Sequence, residues 1–132
     1  MQIQEMPGLT VRNFRPGDES VFFEILKNSF GPLEYVPRVK VEISGPYFNR
    51  EGSFIAEKNG SAVGCVGLRN FPREKWLDIR YLGVNDGESR ELLAQTLVAK
   101  AVQYAGSNHC EILKAFVSGG SALRRRVQTF WF

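Results

Sequence analysis

Apolar and polar residues alternate through "LTVRNF", residues 9–14, as they do along a strand with one buried face. "RPGDES" ends the alternation. Pro16 and Gly17 break the strand, Asp18 suits a helix N-cap, and Glu19 would stand in the favourable first turn. Val21, Phe22, Ile25, Leu26, Ser29 and Phe30 then fall on one helical face, and Gly31-Pro32 stops that helix. Residues 35–47 carry two periods at once. Val39, Val41 and Ile43 alternate with Lys40 and Glu42 as a strand would, whereas Pro37 suits the first turn of a short helix.

"SFIAEKNGSAVGCVGL" is the clearest local signal. Two β-rich runs, residues 53–57 and 62–68, flank Asn59-Gly60, which supplies the positive backbone angles of a tight hairpin. Gly64 and Gly67 predict a bulge or the close approach of another backbone. "WLDIRYLGV", residues 76–84, alternates again and forms a third strand of the same sheet. "NDGES" is a turn in which Asp86 or Ser89 caps the next helix, whose apolar face is Leu92, Leu93, Thr96, Leu97, Ala101, Tyr104 and Ala105. Gly106 ends it. "HCEILKAFV", residues 109–117, is a last strand, "SGGS" a turn, and "ALRRRVQTFWF" the start of a final helix or an irregular tail. The hairpin must be antiparallel, and the strand, helix, strand unit across residues 84–117 demands a parallel pair. The class is α+β: a mixed, mostly antiparallel sheet with one parallel β-α-β unit and helices packed on it.

A length of 132 residues suits one domain, residues 1–132, with one core. No apolar run approaches the roughly 20 residues that span a bilayer. "MQIQEMPGLTVRNF" has neither a basic start nor an apolar block, so a signal peptide is not expected and the expected location is cytoplasmic. A net charge of +3 is too small to argue for nucleic acid, yet is compatible with a modest attraction for an anionic ligand. Arg124, Arg125 and Arg126 form the clearest basic cluster, which reads as a solvated helix face or as a contact for a phosphate or an acidic partner. Cys65 and Cys110 each lie in an apolar run and read as buried free thiols. With His109 as the one histidine, they do not make a four-ligand zinc site, and no metal is expected.

In this order, "LTVRNFRPGDESVFFEIL", "FIAEKNGSAVGCVGL" and "LDIRYLGVND" resemble the GNAT superfamily of acetyl-CoA-dependent N-acetyltransferases, over residues 9 to about 127. The resemblance implies helices on both faces of the sheet, and a second helix where residues 35–47 are ambiguous, so the helix is favoured there. It implies a bulge in "IRYLGV", whose main chain at Leu82, Gly83 and Val84 would hold the pantetheine arm like an added strand. A gap between "IRYLGV" and "EILKAFV" would admit that arm. An ordinary central strand is the alternative.

The family's pyrophosphate turn has a basic or amide residue, then Gly, then Gly or Ala, positions that become Ser89, Leu92 and Ala94 here. Phosphate oxygens must reach bare N–H groups at a helix N-terminus, where the dipole also favours them. Ala94 fits the pattern. Leu92 adds a branched side chain, Ser89 removes a charge-assisted bond, and Glu88 and Glu91 oppose an anion, while Arg90 offsets them in part. The cofactor-binding residues implied are thus Leu82, Gly83, Val84, Ser89, Arg90, Glu91, Leu92 and Ala94, with acetyl-CoA as co-substrate.

Some members use a carboxylate near Asp78 as the general base; an exposed polar residue on a strand is the alternative. Where the family has a tyrosine that protonates the leaving thiolate, Arg126 stands, and arginine cannot donate a proton at neutral pH. Tyr81 and Tyr104 are tyrosines that nothing in the sequence places. The implied activity is acetyl transfer to an unknown amine; the alternative is an inactive GNAT-fold binding or dimerisation module. Members of the family usually continue through two further strands after the last helix. Three readings therefore stand for "FWF" at the end of the chain: a truncated sequence, a short variant whose aromatic tail packs on the core, or a sheet completed by a second copy as a homodimer.

Overall fold

The computed structural model describes residues 8–30, 36–71, 76–85, 90–108, 110, 112–118 and 125–131. Their order is β1 (Leu9–Asn13), α1 (Glu19–Phe30), α2 (Val36–Ser44), β2 (Phe48–Lys58), β3 (Ser61–Phe71), β4 (Trp76–Val84), α3 (Arg90–Ser107), β5 (Ile112–Ser118) and β6 (Arg125–Trp131). The six strands form one sheet in sequence order. Neighbouring strands are antiparallel except β4 and β5, which α3 joins as a parallel pair. Asp86, Ser89, His109, Arg124 and the Gly31-Pro32 stop lie outside the described residues.

The hairpin forms as its turn residues dictate. Asn59 has φ 52° and Gly60 φ 84°, the two positive angles whose twist matches that of the flanking strands. At the other ambiguous segment the helix prevails. Val39 and Ile43, four residues apart, are buried, whereas Val41 points the opposite way and is 72% exposed. The final segment corrects the sequence reading. Residues 125–131 form a strand paired antiparallel with β5 from Ser118↔Arg125 to Ile112↔Trp131, not a helix or an irregular tail.

Asp18 is a helix-entry residue with a different job for its side chain. Its carbonyl accepts the Phe22 N–H at 2.9 Å, as an N-cap carbonyl should. Its carboxylate instead accepts the Arg15 N–H at 2.7 Å and the Arg12 guanidinium at 2.7 and 3.0 Å. Arg12 also binds Glu57 at 2.6 Å, so α1 is tied to the β1–β2 edge. The hydrogen bond from Arg12 holds the Asp18 carboxyl below its ordinary value.

Alternation along the strands divides the core. Ala56, Val66, Leu68, Leu77, Ile79 and Val84 face Leu93, Leu97, Ala101 and Ala105 of α3. Ile55 and Cys65 face Phe22, Ile25 and Leu26 of α1 and Val39 and Ile43 of α2. Helices therefore cover both faces. Cys65 and Cys110 are free thiols in these opposite cores, which rules out a disulfide between them. Burial pushes the Cys65 thiol far above its ordinary value, so it is inert.

On the α1–α2 side, Phe14, Phe22 and Phe48 meet edge to face, with centroids 5.4, 5.3 and 5.9 Å apart. Gly67 sits beneath this group: a Cβ there would lie 3.0 Å from Phe22 and 3.1 Å from Tyr81. The close neighbours of Gly67 are thus rings, and its cross-strand partner is Tyr81, the residue just after the extra one in β4. Phe22 has no exposure and touches both other rings, so Phe22→Ala should destabilise the domain by about 3–5 kcal/mol in urea unfolding.

Candidate functional site

β4 carries the site because it is irregular along one edge and half-paired along the other. Toward β3 its register runs Trp76↔Phe71, Leu77↔Asn70, Asp78↔Arg69, Ile79↔Leu68, then jumps to Tyr81↔Gly67. Arg80 is the extra residue of a β-bulge. Toward β5 the pairing is Trp76↔Ile112, Leu77↔Leu113, Asp78↔Lys114 and Ile79↔Ala115, and it ends there. β5 continues to Ser118, bonded to β6 on its far side. Past Ile79 and Ala115 β4 and β5 both continue but no longer pair, and the stretch between them is the slot, with the main chain of residues 80–84 as its β4 side. The expected bulge is present, and the β4–β5 pairing ends beside it, as the expected gap requires.

The bulge also changes which side chains share a face. In a regular strand Arg80 and Tyr81 would point to opposite sides. Here both reach the Glu42 carboxylate on α2. Arg80 donates from Nε to Oε2 and from Nη2 to Oε1, each at 3.1 Å, and the Tyr81 hydroxyl donates to Oε2. Burial pushes the Glu42 carboxyl upward, but the hydrogen bonds from Arg80 and Tyr81 outweigh it and hold the group below its ordinary value. Burial, reinforced by Glu42, raises the Tyr81 hydroxyl well above its ordinary range, so the phenol keeps its proton.

Against this clamp lies a cleft of about 210 Å³, walled by Val41, Pro46, Tyr47 and Phe48 and floored by Glu42, Arg69, Arg80 and Tyr81. Val41 and the 58%-exposed Tyr47 stand at its rim. Asp78 is on the same face of the sheet. It is buried, not the exposed strand residue that was the alternative reading, and its Oδ2 lies 3.4 Å from Arg69 Nη2.

The other expected site residues divide between slot and helix. Leu82 is half-buried, and Gly83 and Val84 are buried, opposite Val66, Cys65 and Gly64 along the slot. Arg90 and Glu91 are exposed in the first turn of α3, while Leu92 and Ala94 are half-buried, with Ala94 packed on the α3-side core. Ser89 lies outside the described residues. The fold thus carries β4 past the slot toward the N-terminus of α3. The slot edge fits an extended amide-bearing chain; Glu91 opposes an anion at the helix start and Arg90 favours one.

Tyr104 is elsewhere: its hydroxyl lies 3.1 and 3.2 Å from the side-chain amide atoms of Asn49 on β2. Arg126 lies in β6. Sequence reasoning missed Glu42, Arg69 and Arg80 as site residues. Glu42 and Arg80 are 38 positions apart, and the alternation of "LDIRYLGV" gives no sign that Arg80 is displaced.

The model of the acetyltransferase (GNAT) family matches residues 21–124, and the chain belongs to that family. Among solved structures, a GNAT family acetyltransferase from Brucella melitensis in complex with acetyl-CoA superposes with a TM-score of 0.75 at 14% identity, over 94% of this chain and 88% of that one. The ribosomal-protein-S18-alanine N-acetyltransferase from Escherichia coli gives 0.70 at 12% identity, over 86% and 70%. PaiA N-acetyltransferase from Thermoplasma acidophilum, in complex with coenzyme A, gives 0.63 at 11% identity, over 87% and 82%. At such identities the likeness is one of fold. No curated protein matches the chain. Among the described residues no helix is long and apolar enough to cross a membrane.

Because the Glu42 carboxyl is held below its ordinary 4.5, the clamp contributes stability that is fully present above that pH and is lost as the pH falls through the depressed value. Glu42→Gln should lower stability near neutral pH by about 1–2 kcal/mol, since Glu42 is partly exposed, and should flatten the acid limb of the unfolding midpoint plotted against pH.

Proposed function

We propose that the protein transfers the acetyl group of acetyl-CoA to the nitrogen of a small amine. The observation that carries this reading is the slot that opens at the β4 bulge, with the cleft on the same stretch of strand. Family membership supports it, as do the relatives solved with acetyl-CoA and coenzyme A. When bound, acetyl-CoA supplies an activated acyl group: the amine nitrogen bonds to the acyl carbon, the carbon–sulfur bond breaks, and the sulfur departs as a thiolate that takes a proton from solvent.

The chain's own residues contribute positioning first. The main chain of Leu82, Gly83 and Val84 pairs with the extended pantetheine arm, a contact indifferent to side-chain identity. The start of α3, with Arg90, Glu91, Leu92 and Ala94, receives the phosphates by N–H groups and helix dipole, and the family likeness adds Ser89 just before it in the sequence. The Glu42 clamp fixes the bulge, so the acyl carbon and the cleft keep one relative placement. Asp78 takes the proton of the amine through one intervening water, a role that suits a carboxylate on the cleft's face of β4.

A second reading, an inactive module that pairs with another copy, draws on two observations: strand β6 lies at an edge of the sheet, and the Tyr81 and Tyr104 hydroxyls are both engaged by other side chains.

Calorimetric titration with acetyl-CoA separates the two. Heat of binding together with a rise in melting temperature supports the transferase; neither signal at millimolar ligand rejects it, and a stable dimer in sedimentation then favours the module. If the phosphates sit at the start of α3, Glu91→Gln should tighten acetyl-CoA by about two- to fivefold at low salt, less as salt is added. Asp78→Asn should lower kcat with little change in the KM for acetyl-CoA.

A further inference from the structure

We propose that the cleft takes a small amine that also carries a carboxylate, an amino-acid-like acceptor with an apolar body, and that Arg69 receives the carboxylate. The assignment of the amine as acceptor rests on the transferase reading; the carboxylate site stands on the cleft itself.

Three arginines of the domain differ in how far their donors are spent. Arg12 is saturated by Asp18, Glu57 and the Asn13 carbonyl. Arg80 places two nitrogens on Glu42. Among the described residues Arg69 donates one hydrogen bond, to Asp78 at 3.4 Å, and its Nε is buried with no acceptor. Arg69 is nevertheless held in place. Its guanidinium lies 4.6 Å from the Phe71 ring, which stacks on Trp76 at 4.7 Å and 20°. A cation fixed by stacking, with most of its five N–H donors uncommitted and its head at the cleft floor, is prepared for an external acceptor.

The flat guanidinium fork matches a carboxylate. The apolar walls, Val41, Tyr47 and Phe48, call for a hydrocarbon or aromatic body. At about 210 Å³ the cleft is smaller than the roughly 300–1,000 Å³ of pockets for drug-sized ligands, so the occupant is small. Arg69 pairs across the strand with Asp78, two residues before the bulge, so a carboxylate held there leaves the amine end directed toward the slot.

The test has a binding arm and a turnover arm. In the first, 3-phenylpropionate is titrated against 3-phenylpropanol, with melting temperature and tyrosine fluorescence as readouts. The carboxylate should bind at least about tenfold more tightly, the worth of one charge-assisted hydrogen bond, and Arg69→Gln should erase the difference. Arg69→Lys, which keeps the charge but loses the fork, should retain part of it. Equal or absent binding of the two probes to the unmodified protein overturns the proposal and needs no variant. In the second arm, phenylalanine is compared with 2-phenylethylamine, and leucine with isoamylamine, as acetyl acceptors. A preference for the carboxylated members supports the proposal. A preference for the bare amines, or inert carboxylated members beside a protein that binds acetyl-CoA, overturns it while leaving the transferase reading intact. If acetyl-CoA does not bind, the transferase reading falls and the first arm alone decides what the cleft holds.

Discussion

The site depends on one surplus residue. Arg80 is one more amino acid than β3 can pair with, and the chain resolves the mismatch with a kink. The kink turns two successive side chains toward α2, where a single carboxylate holds both. It also falls where β4 stops pairing with β5. A strand regular throughout would have sent Arg80 and Tyr81 to opposite faces and offered no reason for the sheet to open at that point.

Everything functional is arranged around that kink by ordinary packing. The α3-side core fixes Leu82 and Val84 from one face, and the three phenylalanines fix Tyr81 and Gly67 from the other. The slot lies in the plane of the sheet and the cleft on its α1–α2 face, so a thioester and an amine would approach the same peptide units from different directions. Glu42 couples the two regions: its helix walls the cleft, and its carboxylate secures the strand that walls the slot. The cost of bringing that carboxylate out of water is offset by three hydrogen bonds, two from a guanidinium and one from a phenol.

Much of the fold was legible in the sequence because local signals agreed with tertiary need. Asn59-Gly60 admits few conformations, and residues 76–84 alternate as the strand they become. The two ambiguous stretches show where locality ends. Val39, Val41 and Ile43 fit a strand, yet Val39 and Ile43 also fit a helix face, and the α1-side core had room for that pair alone. In "ALRRRVQTFWF", Val127, Thr129 and Trp131 alternate, while Leu123, Val127 and Phe130 recur at helical intervals. The open edge of β5 selected the strand. Leu82, Gly83 and Val84 were singled out by a family likeness and not by the local pattern, since a main-chain contact would leave no side-chain signature; in the structure they lie on β4 beyond its last pair with β5. Glu42, Arg69 and Arg80 stayed hidden because their meeting depends on a kink that no alternation pattern records.

The four register pairs between β4 and β5 have a mechanical meaning as well. Among the described residues β5 and β6 join the rest of the sheet through that short seam, and Leu113 is fully buried in the α3-side core. An extended ligand lying in the slot would lengthen the seam by bridging the two strands it separates. Occupancy and cohesion of the β5–β6 pair are then one equilibrium: amide hydrogen exchange in those two strands should slow when the slot is filled, whereas the β2–β3 ribbon, already paired on both sides, should be indifferent.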